Sequence, residues 1–450
     1  MRLVIVGAGK VGTTLIEKLS KEKHDVIIVD VDDEKVERLV NKYDIRGIAG
    51  GGCDRSVLQE AEVSKADFFI ACTSRDELNI LSCMLAKKMG AKYSVARVRD
   101  PEFYSEEDYM SKEFSIDMPF NPELRTAEEI AQILKFPSAV NIETFADGSV
   151  VMIELLIKKG NPIIDKSVVD IIKEYEVKLL FSMVERDGKV FIPRGDFVIK
   201  EGDRIHITAT EQEIAAFSKD MQMYKKRAKS VFIVGGGKIA YYLAKNLIES
   251  RVNVTIIDID EERCRELSEK LPEATILCGD GTDQDVLSEE GIAKCDACVA
   301  LTGMDEENVI IALYAASKKV AKVVSKVDRA TVAQMVRNLG LDTVVSPRNV
   351  IANKILRFVR SRREGGDGSI NRLYNILDKA EALEFIATAE CKFLNIPLKD
   401  LKIKNNYLVN GIVRNKEYII PTGDSYIAEG DAVLIVTTDK NVTDLNRLIK

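Results

Sequence analysis

At 450 residues and 46% hydrophobic, the chain carries more apolar sequence than one core organises, which argues against disorder and predicts several globular domains. Charged residues make up 30% with both signs interspersed, and a net charge of -7 gives no attraction for a polyanion, so a bulk nucleic-acid role is disfavoured. A strand-like run starts directly after Arg2 with no signal-peptide pattern, no apolar run approaches the ~20 residues that span a bilayer, and eight scattered cysteines suit reduced thiols; the expected setting is the cytosol, with any membrane role peripheral.

The first predicted strand, 2 to 6, runs into Gly7-Ala8-Gly9-Lys10-Val11-Gly12 and then a helix. In this pattern the first glycine permits a tight turn, the second lets a pyrophosphate approach the backbone at the helix N-terminus, and the third allows close helix packing. The second strand, 26 to 30, ends in Asp30. A carboxylate there can accept both hydroxyls of an adenosine ribose and repels a 2′-phosphate, which favours NAD or an adenine mononucleotide over NADP. Strands near 45 to 49, 67 to 72 and 93 to 98, alternating with helical periodicity, predict a parallel sheet with helices on its faces. The fourth strand leads to Thr73 and Ser74. Ser74 and Glu77 have capping-box spacing ahead of a helix over 78 to 89, while Thr73 stands where open sheets bind ligands; both readings stay open. The fifth ends in Arg97 and Arg99, which share a side if the strand continues and suit either a polyphosphate or ordinary salt bridges.

A Pro-led helix follows over 122 to 135, with Ala127, Ile130, Ala131 and Leu134 on one face. That face needs a partner, and its own sheet is the simpler expectation, an inter-subunit crossover the other. Alternating apolar residues broken by Gly-Asp turns then predict a small, mostly β domain over roughly 145 to 215, and YKKRAK (224 to 229) marks a junction.

From Ser230 the sequence repeats itself, 228 residues after Arg2. RLVIVGAGKVG returns as SVFIVGGGKIA, VIIVDVDDEKVERL as VTIIDIDEERCREL, GGGCDRSVL as GDGTDQDVL and ACTSRDELN as ALTGMDEEN. The second glycine turn is Gly235-Gly236-Gly237-Lys238-Ile239, with Ala240 in the third glycine's place. Asp258 matches Asp30, Thr302 matches Thr73, and Lys326 and Asp328 stand at the positions of Arg97 and Arg99. The second site thereby loses a cation and gains an anion, so the first is expected to bind ATP or ADP better. A second Pro-led helix, 347 to 360, a REGGDGS loop (363 to 369) and a second small domain whose IPTGDSYIAEGDAVLI echoes IPRGDFVIKEGDRIHI complete the chain. The expected order is a Rossmann-type module over 1–120, a crossover helix over 121–140, a small domain over 141–222, a second module over 229–345, a second crossover helix over 346–363 and a second small domain over 370–450.

Catalytic chemistry is sparse. A dehydrogenase needs a proton donor or acceptor beside its substrate, and the two histidines, His24 before the second strand and His206 inside the first small domain, belong to no catalytic constellation. Cys295 and Cys298 have redox or zinc spacing but no companion pair, and the first copy has Ala66 and Phe69 there, so they read as buried strand cysteines. No phosphate-hydrolysis or common hydrolase motif is present.

On IVGAGKVG with Asp30, GGGCDRSVL, ACTSRDELN, VARVRD, their second copies and both Gly-Asp-rich tails, the chain resembles the TrkA family of Trk potassium-uptake regulatory proteins. Those subunits contain two RCK (or KTN) domains, each followed by a TrkA-C domain, and the resemblance covers nearly the whole chain. It implies an α/β fold of two Rossmann-type parallel-sheet domains, each with a small α+β TrkA-C-like domain behind it. It further implies a cytosolic gating ring, a homotetramer docked on the cytosolic face of a TrkH-type membrane potassium channel or transporter. NAD(H), ATP or ADP would bind at Gly7 to Gly12, Asp30, Thr73, Ser74, Arg97 and Arg99, and at Gly235 to Ile239, Asp258, Thr302 and Lys326. Such a protein is no enzyme: nucleotide shifts the ring between conformations by its differential affinity. The alternatives are an NAD-dependent oxidoreductase and an RCK-type regulator of another cation transporter.

Overall fold

In β1 (Arg2–Val6) every residue from Leu3 onward is buried, and the side chains alternate, with Leu3 and Ile5 in one apolar cluster and Val4 and Val6 in another. A strand buried on both faces requires a sheet covered by helices on both sides. The computed structural model, which describes residues 1–22, 24–100, 113–136, 139–221, 228–339, 341, 343–362, 370–376, 380–439, 442 and 444–449, has that arrangement. β1 pairs in parallel with β2 (Asp25–Asp30) and β4 (Phe68–Ala71). With β3 (Arg46–Ala49), β5 (Tyr93–Arg97) and β6 (Met118–Phe120) the sheet order is β3-β2-β1-β4-β5-β6. Helix Lys10–Lys21 covers one face through Leu15, Ile16 and Leu19, and helix Asp76–Met89 the other through Ile80, Cys83 and Ala86. Strand order reverses between β1 and β4, and the crevice beyond their carboxyl ends is where such sheets bind ligands.

The chain divides into two compact units, Met1–Glu128 with Val345–Val359, and Glu129–Val344 with Arg360–Lys450. In the first, helix Pro347–Ser361 lays Ile351, Ala352, Ile355, Leu356 and Val359 beside Leu15, Ile16 and Phe68. Phe358 meets Phe68 and Tyr93 edge-on at centroid distances of 5.7 and 6.0 Å, and Lys18 Nζ donates to Asn353 Oδ1 at 2.9 Å. This corrects the expectation that each Pro-led helix docks on its own sheet. The helix that follows the second module covers the first, and the exchange happens within one chain. In the other Pro-led helix, Pro122–Lys135, the predicted face of Ala127, Ile130, Ala131 and Leu134 is buried. The chain passes into the second unit within this helix, and there Lys322 Nζ donates to the Ala139 carbonyl at 2.5 Å.

The other six-stranded sheet, from Ser230–Val234 to Val344–Val345, lies in the second unit up to Val344 and has the same strand order as the first. The second unit also holds two five-stranded antiparallel sheets, Asn141–Ala209 with helices Val168–Tyr175 and Glu211–Asp220, and Ile370–Thr437. The recurring Gly-Asp turns have a structural cause. Gly202 and Gly430 take φ of +86° and +85°, and the buried Asp203 and Asp431 that follow accept two-pronged hydrogen bonds from Arg186 (2.7 and 2.7 Å) and Arg414 (2.9 and 2.8 Å). The two small sheets pack face to face through Phe145, Met152 and Met183 against Ala382, Leu434 and Val436, and Glu384 accepts the Ala146 N–H at 2.7 Å. REGGDGS and Tyr224 to Arg227 of the YKKRAK junction lie outside the described residues. Among the described residues no helix is long and apolar enough to cross a membrane.

Candidate nucleotide site

The glycine turn closes β1 onto helix Lys10–Lys21. Gly7 has φ of +105° and donates its N–H to Val29 O at 2.9 Å. A Cβ on Gly12 would stand 1.9 Å from the Gly7 carbonyl oxygen, so the third glycine is required for the helix to approach the turn. Gly9 serves the opposite purpose. It is the helix N-cap, no side chain caps the helix, its first turn contains no acid, and a Cβ there would meet nothing within 4 Å. An uncapped helix N-terminus open on one side is suited to an anion. Lys10 is exposed and Val11 packs into the core, while Ala8 donates its N–H to Asp30 Oδ2 at 2.6 Å. Asp32 N–H donates to Asp30 Oδ1 at 2.9 Å, so each carboxylate oxygen is aimed by one backbone donor and keeps acceptor capacity for a second partner.

The second module repeats this carboxylate geometry, with Gly236 N–H on Asp258 Oδ2 at 2.5 Å and Asp260 N–H on Asp258 Oδ1 at 2.9 Å. Its turn differs in two ways. Ala240, fully buried, fits in the third glycine's place, while a Cβ on Gly236 would meet Leu267 Cδ1 at 2.7 Å, so the need for glycine has moved. Arg263 also leans over the turn and donates to Gly236 O at 2.6 Å, where the first copy has Lys35; sequence reading passed over this guanidinium. Gly237, like Gly9, opens onto space with no side-chain cap on its helix, which starts at Lys238, with Ile239 next.

At the end of β4 the capping-box reading fails. The helix begins at Asp76, its N-cap is Arg75, and no side chain caps it. Ser74 instead offers its carbonyl to Arg99 Nη2. Thr73 is held by a residue that sequence reading missed, the fully buried Asn79. Asn79 Oδ1 accepts from Thr73 N–H (2.9 Å) and Oγ1 (2.7 Å), and its Nδ2 donates to the carbonyls of Thr73 (3.3 Å) and Arg97 (2.9 Å), clamping β4 to β5. Asn308 accepts the Thr302 N–H and donates to the carbonyls of Thr302 and Lys326 in the same way, while the Thr302 hydroxyl turns to the Met304 carbonyl. Both asparagines lie in the repeated ACTSRDELN and ALTGMDEEN blocks, so identity between the copies was the available signal.

The two arginines do not act as one clamp. β5 stops at Arg97, whose Nη2 pairs with Glu123 Oε1 at 3.1 Å. Arg99 turns toward Asp76, whose carboxylate also accepts the N–H groups of Arg99 (2.6 Å) and Asp100 (2.8 Å). In the second module Asp305 takes the N–H groups of Asp328 and Arg329, and Arg329 supplies the guanidinium at 3.3 Å. Burial works to raise the Asp305 carboxyl, but these donors outweigh it and hold it below the ordinary aspartate value. The expected loss of a cation is therefore corrected. The order of acid and arginine is exchanged between Arg99-Asp100 and Asp328-Arg329, and their summed charge is unchanged.

Cys72 sits under the first turn, its Sγ 3.5 Å from Gly7 O, and burial pushes its thiol up to about 12, with Arg97 pulling it down and Asp30 pushing it up. Arg97 and Asp30 thus both stand close enough to the turn to be felt there. His24 lies at the amino end of β2, opposite Asp30, and burial lowers the basicity of His206 within the first small domain. Burial also raises the Cys298 thiol, and raises Cys295 to about 11, which keeps both protonated at neutral pH.

The family model for the TrkA-N domain matches residues 3–122 and 231–347, and that for the TrkA-C domain matches 152–222 and 382–450. The chain belongs to the TrkA family. It is 33% identical to a Trk system potassium uptake protein TrkA homolog of Archaeoglobus fulgidus, over 97% of both chains. It is 30% identical to Trk system potassium uptake protein TrkA of Halomonas elongata, covering 100% of this chain and 99% of that one. Among solved structures, the GsuK channel bound to NAD aligns over 98% of this chain and 77% of its own with a TM-score of 0.63 at 18% identity, and GsuK bound to ADP over 80% and 70% with 0.52 at 16%. These likenesses carry the fold: paired Rossmann-like modules, each followed by a TrkA-C domain.

Proposed function

We propose that this TrkA-family chain is a nucleotide-sensing regulatory subunit of a potassium-uptake system, docked as a homotetrameric ring on the cytosolic face of a TrkH-type channel or transporter. The carrying observation is the pair of open glycine turns, each beside a carboxylate aimed by two backbone N–H groups, with no histidine at the carboxyl end of either sheet. Such a site can bind an adenosine ribose and its phosphates, and neither histidine of the chain stands beside it to relay a proton in hydride transfer, which sets the oxidoreductase reading behind. The names of the relatives support a potassium-uptake role, and the GsuK structures with NAD and with ADP support those two nucleotides as ligands, to which we add ATP as ADP's phosphorylated form.

The mechanism is a population shift. Ligand that binds one arrangement of the modules more tightly biases the attached channel by that difference in affinity. Asn121 shows how the site connects to the rest. Its Oδ1 accepts the Leu124 N–H at 2.9 Å at the start of helix Pro122–Lys135, and its Nδ2 donates to the Arg99 carbonyl at 3.2 Å. Purifying the tagged chain from native membranes tests the partner. A co-purifying membrane potassium-uptake protein is expected, and a set of exclusively soluble partners would contradict the assignment.

A further inference from the structure

Arg97 and Glu123 form an ion pair that leaves both sides incompletely satisfied. Each side chain is only 18% exposed, one Nη2 to Oε1 contact at 3.1 Å joins them, and the buried Arg97 Nε and Glu123 Oε2 have no hydrogen-bond partner among the described residues. A guanidinium and a carboxylate with unused buried donors and acceptors are poised for exchange of partners. Arg97 stands at the carboxyl end of β5, and its charge reaches the Cys72 thiol beneath the glycine turn. Glu123 is in the first turn of helix Pro122–Lys135, where the helix N-terminus favours an anion even without the arginine. The second copy has no acid at this position: Pro122-Glu123 corresponds to Pro347-Arg348.

We propose that Glu123 is a built-in competitor for the ligand's terminal phosphates, holding Arg97 in the empty site and releasing it to an ADP or ATP phosphate. Release transfers the guanidinium from the start of the crossover helix to the ligand, which makes occupancy of the site a signal to that helix. It also makes the modules unequal through the acid at position 123 and its absence at 348, in place of the cation count at the end of β5. The proposal rests on the nucleotide-binding reading above.

The test is calorimetric titration of the full chain carrying Asp258→Ala, so that the first module is read alone, with adenosine, ADP and ATP. Glu123→Gln is expected to tighten ADP and ATP by about fivefold or more and to leave adenosine unchanged. Arg97→Gln is expected to abolish that gain in the double variant, which also controls for a general change in charge. Binding by the parent with equal affinity in Glu123→Gln overturns the competitor alone. Equal tightening of adenosine, or the same gain without Arg97, also overturns it. Failure of the parent to bind any of the three overturns the nucleotide reading and the competitor together.

Discussion

Replacing Asp30 with alanine is expected to weaken NAD(H) and ADP binding at the first module by on the order of 100-fold or more, because the change acts twice. It deletes the proposed acceptor for the ribose hydroxyls, and it strands the N–H groups of Ala8 and Asp32, which the carboxylate now satisfies. Asp30→Asn retains one acceptor oxygen and should fall between. Asp258→Ala leaves the first module's carboxylate and turn intact, so it should spare that site. Calorimetry on the full chain reads all three, and an Asp30→Ala chain that binds with parental affinity and stoichiometry would remove the assignment of the site.

The second large effect concerns stability. Asn79→Ala is expected to destabilise the chain by about 3 kcal/mol, since removing a fully buried side chain that makes four hydrogen bonds leaves the Thr73 N–H and the Arg97 carbonyl without that partner. Because the clamp joins the ends of β4 and β5 and holds Thr73 and the Arg97 carbonyl, the same change should loosen nucleotide binding without replacing any residue proposed to contact the ligand. Urea unfolding of parent and variant measures the first effect. An unchanged midpoint would mean that water replaces the amide without cost, and the clamp would lose its structural role.

The glycine turns, the acids that end the second strand of each sheet and the doubled parallel sheet were legible because their physics is local. A turn that needs a positive φ demands glycine at Gly7 and Gly235, and a sheet covered on both faces shows itself in unbroken runs such as Leu3 to Val6. What lay hidden depends on residues distant in sequence. Periodicity marked an apolar face on the first Pro-led helix and named none on the second, and such a face fits its own sheet and the other copy's sheet equally well in sequence terms; only Phe68, Tyr93 and Phe358 together place helix Pro347–Ser361. The capping box at Ser74 failed because Asp76 is engaged by the backbone of Arg99 and Asp100, a partner 23 residues away that no local rule contains. Position-by-position comparison of the repeats misjudged the end of the fifth strand for a related reason. It compared Arg99 with Asp328 and passed over Arg329, which reaches the equivalent carboxylate from one residue further on.

On the proposed function, bound nucleotide is a signal and not a substrate. Reconstituting the potassium-uptake partner with this chain in vesicles, and following ion flux alongside chemical recovery of added NADH, ADP or ATP, tests it most directly. Flux that changes with nucleotide, that loses its response in Asp30→Ala, and that leaves the nucleotide chemically intact is the predicted result; flux indifferent to every nucleotide, or nucleotide consumed in proportion to time, would contradict it.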